Sequence, residues 1–68
     1  MSVAIQLNGE SFKLPGPSTV AELLTILELV PEQVAVEVNE ALVPKARRAE
    51  TTLCEGDRVE FVTLVGGG

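Results

Sequence analysis

Val59-Glu60-Phe61-Val62-Thr63-Leu64-Val65, running without a break into Gly66-Gly67-Gly68, is the stretch on which the reading of this 68-residue chain turns. Its apolar residues are mostly β-branched or aromatic, so it predicts a strand. A near-continuous apolar run predicts a central, well-covered place in a sheet. No polar spacer separates the strand from the glycines, so the fold itself projects the tail. Glycine has no side chain, and a glycine terminus passes through channels too narrow for any other residue. Its α-carboxylate has a reference pKa of roughly 3.5 and is ionised at neutral pH. The end of the chain is therefore a slim carboxylate that another enzyme can attack or activate. The bland alternative is a frayed solubilising tail.

Working back from this strand, the other elements follow from period and punctuation. Val3, Ile5 and Leu7 alternate with Ala4 and Gln6, a half-buried strand. Asn8-Gly9 is a hairpin turn, because both residues accept positive φ. Phe12 and Leu14 return as a second strand, ended by Pro15-Gly16-Pro17. Thr19 with Glu22 three residues later is a capping box. Val20, Leu23, Leu24 and Leu27 then share one helical face. Pro31 is expected to stop that helix, while Ile26 and Leu29 lie off the stripe and cover the edge of the core. Val34, Val36 and Val38 mark a third strand, Asn39-Glu40 a turn, and Ala41-Leu42-Val43 a short strand ended by Pro44. Lys45 to Glu50 forms a polar helical turn. Thr51-Thr52-Leu53 is a short strand or an extended link, and Glu55-Gly56-Asp57 is the turn into the last strand.

Hairpin, helix, strand, short strand and long strand, in that order, give an α+β domain. One main helix packs on one face of a mixed sheet of four to five strands. The first and last strands lie parallel and adjacent in the middle. This is the ubiquitin-like β-grasp arrangement. Residues 1–65 are expected to form the domain and 66–68 a flexible glycine tail.

Size and composition narrow the function. So short a chain buries only about 60% of its unfolded surface, and an enclosed substrate pocket of roughly 300 Å³ or more does not fit. The net charge of −5 repels phosphate backbones and acidic membrane surfaces, and points to partners with basic surfaces. The sequence has no histidine and one cysteine. It thus lacks the usual general base and the ligands of a structural zinc site, and no metal is expected. Met1 to Gln6 lacks the character of a signal peptide, and no apolar run reaches the roughly 20 residues of a membrane span. The expectation is a cytoplasmic protein with neither nucleic acid nor membrane as partner.

Among candidate site residues, Gly68 comes first as the reactive carboxyl, with Gly67 and Gly66 as the narrow segment that threads into a partner. Leu64 and Val65 are candidates for a partner-binding patch on the open sheet face, and Phe61 is assigned to the core. Cys54 reads as an ordinary half-buried side chain. Lys45, Arg47 and Arg48, the basic cluster, read as a solvated surface turn, the alternative being a surface that docks an acidic groove on a partner.

Several of these segments together resemble the small sulfur carrier proteins of thiamine biosynthesis, the ThiS family. The resemblance covers nearly the whole chain. It rests on Leu7-Asn8-Gly9, Thr19-Val20-Ala21-Glu22-Leu23-Leu24, Val36-Glu37-Val38-Asn39 with Val43-Pro44, Glu55-Gly56-Asp57-Arg58-Val59-Glu60 and Val65-Gly66-Gly67-Gly68. The family pattern needs only the last two glycines, so Gly66 is an addition. The resemblance implies a protein co-substrate with no catalytic side chain of its own and no permanently bound cofactor. A ubiquitin-activating-like adenylating enzyme would use ATP to turn the Gly68 carboxylate into an acyl-adenylate. A sulfur donor such as a cysteine desulfurase persulfide would then lead to a thiocarboxylate, and thiazole synthase would take that sulfur for the thiazole ring. The rival readings are a related carrier for molybdopterin, cysteine or tRNA thiolation, a ubiquitin-like protein modifier, and a β-grasp interaction module with an idle tail.

Overall fold

Asn8 and Gly9 take φ of 49° and 84°, the two positive values of a type I′ turn, whose twist matches that of the strands it joins. They connect β1 (Val3–Leu7) to β2 (Glu10–Leu14) in an antiparallel hairpin with Ile5 opposite Phe12. The computed structural model describes residues 1–64. Val65 and the three glycines, with the expectations placed on them, lie outside the described residues.

Ser18–Thr19 (β3) pairs antiparallel with Thr52–Leu53 (β6) in a small ribbon apart from the main sheet. Thr19 also starts α1 (Val20–Ile26). The capping box forms as read: the Glu22 N–H donates to Thr19 Oγ1 at 3.1 Å, and the Thr19 N–H donates to Glu22 Oε1 at 2.8 Å. Two donors that the first helical turn leaves without intrahelical partners are thereby satisfied.

The helix does not reach Pro31. It ends at Ile26, where Glu28 turns left-handed at φ 59°. The Glu28 N–H donates to Thr25 O at 3.0 Å and the Leu29 N–H to Leu24 O at 2.9 Å. These are the two bonds of a Schellman motif, which normally carries glycine at the left-handed position. Pro31 opens a 3₁₀ turn, Pro31–Gln33, instead, at a position where its missing N–H costs nothing.

β4 (Val34–Val38), β5 (Ala41–Val43) and β7 (Arg58–Thr63) complete a five-stranded sheet of order β2-β1-β7-β4-β5. β7 is central, parallel to β1 and antiparallel to β4, so the mixed β-grasp topology is the one expected. Leu23 and Leu24 of α1 join Ile5, Val36 and Val59 of the three central strands in one buried cluster. Among the described residues no helix is long and apolar enough to cross a membrane.

β7 is not well covered along its length, contrary to the reading of its apolar run. Val59 is buried and Phe61 half-buried against the core, but Val62 and Leu64 are exposed. The reason is period two. Residues 59 and 61 face the helix, and 60, 62 and 64 face the side of the sheet on which no element of the described chain packs.

Candidate functional site

The site is built around β7, whose two ends are held very differently. At its start a set of side chains fixes the backbone. Asn39 Oδ1 accepts from the Arg58 N–H at 2.9 Å, its own N–H donates to Arg58 O at 2.7 Å, and its Nδ2 donates to Asp57 Oδ1 at 3.1 Å. Asp57 Oδ2 accepts from the Cys54 N–H at 2.8 Å, closing the Glu55–Gly56 turn. Glu55 Oε1 accepts from the Ala4 N–H at 2.9 Å. Asn8 acts from the other side: its N–H donates to Val59 O at 2.9 Å, and its Oδ1 accepts from the Phe61 N–H at 2.9 Å. β1 has ended there, and the Asn8 side chain takes the place of the missing strand. Asn8, Asn39, Glu55 and Asp57, four of the residues that carry the family resemblance, thus anchor the root of the last strand.

Past Phe61 the strand has, among the described residues, only β4 beside it. Val62 lies opposite Ala35, and Thr63 opposite Val34. The Leu64 N–H extends this ladder by one step, donating to Gln33 O at 2.6 Å. On the uncovered face Val62 is 65% exposed and Leu64 49%. Leu42, on β5, is 64% exposed and lies opposite Glu37, which also faces Glu60. The result is a set of exposed apolar side chains with acidic neighbours, reaching Leu64, the last described residue. Exposed apolar side chains grouped in this way mark interaction surfaces.

Leu64 thus stands where a partner-binding residue was expected. Val65, Gly66, Gly67 and Gly68 lie outside the described residues. Val62 and Leu42 were missed. Val62 could have been found from its spacing two before Leu64, which puts both on one face of a strand. Leu42 needed the β4–β5 register. Phe61 takes its expected place against the core.

The basic cluster is not a uniform solvated turn. Arg47 is exposed and lies 3.9 Å from the exposed Glu50, a contact of little energetic weight. Lys45 is also exposed. Arg48, however, is only 5% exposed. Its guanidinium donates from Nη1 to Pro31 O at 2.8 Å and from Nη2 to Val34 O at 2.6 Å. Burial is possible because two backbone carbonyls face the fork from across the fold. Cys54 is likewise misplaced by the sequence: it is exposed rather than half-buried, because it sits at the lip of the Glu55–Gly56 turn.

On the helix side an open cleft of about 330 Å³ lies among Ala21, Leu24, Thr25, Pro31, Lys45 and Arg48. It does not include the strip at Val62 and Leu64. Among the described residues no histidine, cysteine or acidic side chains group as a metal site requires. What the open face of the sheet offers is exposed apolar side chains at the far end of β7.

Comparison with known proteins gives this geometry a family. The sequence model of the ThiS family matches residues 5–68. The chain belongs to the ThiS family. It is 38% identical over 65 residues to the sulfur carrier protein ThiS of Bacillus subtilis, covering 94% of this chain and 98% of that one. It superposes on the crystal structure of the ThiS thiamine biosynthesis protein of Geobacter metallireducens with a TM-score of 0.84 at 33% identity. That alignment covers 97% of this chain and all of the other. A thiazole synthase of Magnetococcus marinus is 41% identical over 64 residues, which are 94% of this chain but only 20% of that protein. The resemblance read from the sequence, to the small ThiS sulfur carriers of thiamine biosynthesis, is borne out at the level of family and fold.

Proposed function

We propose that this chain carries sulfur for thiazole formation in thiamine biosynthesis, and that Gly68 is the carrying residue. The Gly68 carboxylate attacks the α-phosphorus of ATP in the active site of an adenylating partner, displacing pyrophosphate and forming an acyl-adenylate. The terminal sulfur of a persulfide donor attacks the acyl carbon, and AMP leaves. A thiol then attacks the donor's sulfur, forming a disulfide and releasing the carrier as a thiocarboxylate. The chain contributes no general acid or base to these steps. It contributes an end thin enough to enter two active sites and a face for the partners to hold.

The observation that carries this reading is that the ThiS family match extends to Gly68 itself. The exposed strip of Val62 and Leu64 supports it, because it offers partners an apolar surface a few residues before Gly68 in sequence. Thiazole synthase as the acceptor is supported by the Magnetococcus marinus protein of that name, which contains a segment like this chain.

The test is isotope exchange between pyrophosphate and ATP, catalysed by the cognate adenylating enzyme. The account predicts exchange that depends on the full chain and vanishes when the chain ends at Gly66. Exchange that continues with the shortened chain rules out Gly68 as the activated group.

A further inference from the structure

Arg48 is an expensive residue in its present place. A buried charge is tolerated when it is paired and fully hydrogen-bonded. The guanidinium of Arg48 makes no ion pair among the described residues, where Arg47 with Glu50 is the pair formed. Its Nε is buried without a hydrogen-bond partner among the described residues. An apolar side chain of similar length would avoid both costs. What only the arginine supplies is a planar fork that holds two acceptors at a fixed separation.

Those acceptors are Pro31 O and Val34 O, at 2.8 and 2.6 Å. They bracket Gln33, the last residue of the 3₁₀ turn. The turn has one local bond closing it, from the Gln33 N–H to Val30 O at 2.9 Å, and so short a turn is weak by itself. The Gln33 carbonyl in turn accepts the Leu64 N–H at 2.6 Å. The backbone of Arg48 is fixed as well: its carbonyl accepts from the Ala21 N–H at 3.2 Å, in the first turn of α1. A continuous path thus leads from the helix through Arg48 to the 3₁₀ turn, and from Gln33 to Leu64.

We propose that Arg48 is a positioning residue for Leu64, the end of the exposed strip. By clamping the turn at Pro31 and Val34 it fixes the Gln33 carbonyl, and through it the Leu64 backbone. Its consequence for carrier kinetics rests on the carrier reading given above; the mechanical part does not. Because Leu64 belongs to the strip offered to partners, loss of the clamp weakens binding of the carrier.

The experiment compares wild type with Arg48→Met and Arg48→Lys in the full chain. Amide hydrogen exchange is followed at Leu64, with Phe61 and Val36 as controls within the sheet. Adenylation kinetics are measured with the cognate activating enzyme. The clamp predicts roughly tenfold faster exchange at Leu64 in Arg48→Met with both controls unchanged, since local opening is governed by local contacts. It predicts a severalfold higher KM at unchanged kcat, the pattern for an interaction felt equally in ground and transition states. Arg48→Lys falls between, because an ammonium cannot hold both carbonyls as the fork does. Unchanged exchange at Leu64, or equal acceleration at all three amides, overturns the proposal. If Arg48→Met does not fold, Arg48→Lys and the hydrogen-bond scalar coupling between Leu64 nitrogen and the Gln33 carbonyl carbon in wild type decide; a missing coupling overturns it. If wild type is no substrate for the activating enzyme, the carrier reading falls and the exchange data alone decide the clamp.

Discussion

The two ends of β7 use the same kinds of residue for opposite purposes. At Arg58 and Val59 the strand lies between two neighbours, with Val59 buried and the backbone fastened by Asn8 and Asn39. At Val62 and Leu64 it has β4 on one side, bare apolar side chains on the open face, and a single onward bond to Gln33. Polar side chains secure the first end, and apolar ones are left in water at the second. The difference sets an end fastened by polar side chains against an end with exposed apolar ones, and grouped exposed apolar side chains mark interaction surfaces.

The comparison is broken most completely at the far end. Deleting Gly67 and Gly68 is expected to abolish thiocarboxylate formation while leaving the unfolding free energy within about 0.5 kcal/mol of wild type, as for exposed termini generally. Mass spectrometry and urea denaturation of the same sample check both halves. Next in size, Val62→Asp with Leu64→Asp is expected to raise KM for the activating enzyme on the order of a hundredfold, about 2.7 kcal/mol. Such changes place charge in an interface core, and circular dichroism should show an unchanged fold.

At the near end the pattern reverses. Asn8→Ala removes the acceptor for the Phe61 N–H and puts alanine at a φ of 49°. A loss of about 2 kcal/mol in stability is expected from the lost bond and the left-handed strain, with kcat and KM unaltered below the melting transition. The smallest effect sharpens the comparison from outside both ends. Glu40 takes φ 70° beside Asn39 at 52°, so Glu40→Gly gives that turn its preferred Asn-Gly pair. A gain of about 0.5–1 kcal/mol is expected, seen as a rise of roughly 3–6 °C in Tm, with no change in carrier kinetics.

The near end was much more legible from sequence than the far end. Asn8-Gly9, the Thr19–Glu22 capping box and Glu55-Gly56-Asp57 are local signals, and local hydrogen bonds realise them. The parallel pairing of the first and last strands followed from how apolar the last one is. The misreadings share a physical cause. Glu28 ends α1 in a conformation usually marked by glycine, so the stop carried no recognisable residue. Arg48 sits in a run of charges, and its burial depends on carbonyls 17 and 14 residues away. Val62 and Leu64 read as covered because hydrophobicity reports a preference for burial and not whether anything lies opposite. For the candidate site, Leu64 is exposed as read, while the glycine terminus lies outside the described residues. Val62 was available from its spacing to Leu64, whereas Leu42 became visible only once β4 and β5 were placed in register.

The most direct test of the central claim is intact-protein mass spectrometry of the full chain after incubation with ATP, a sulfur source and its cognate adenylating enzyme, with fragmentation to locate any change. The account predicts replacement of one oxygen by one sulfur at Gly68. An unmodified terminus under conditions where the enzyme is active, or sulfur found only on Cys54, would contradict it.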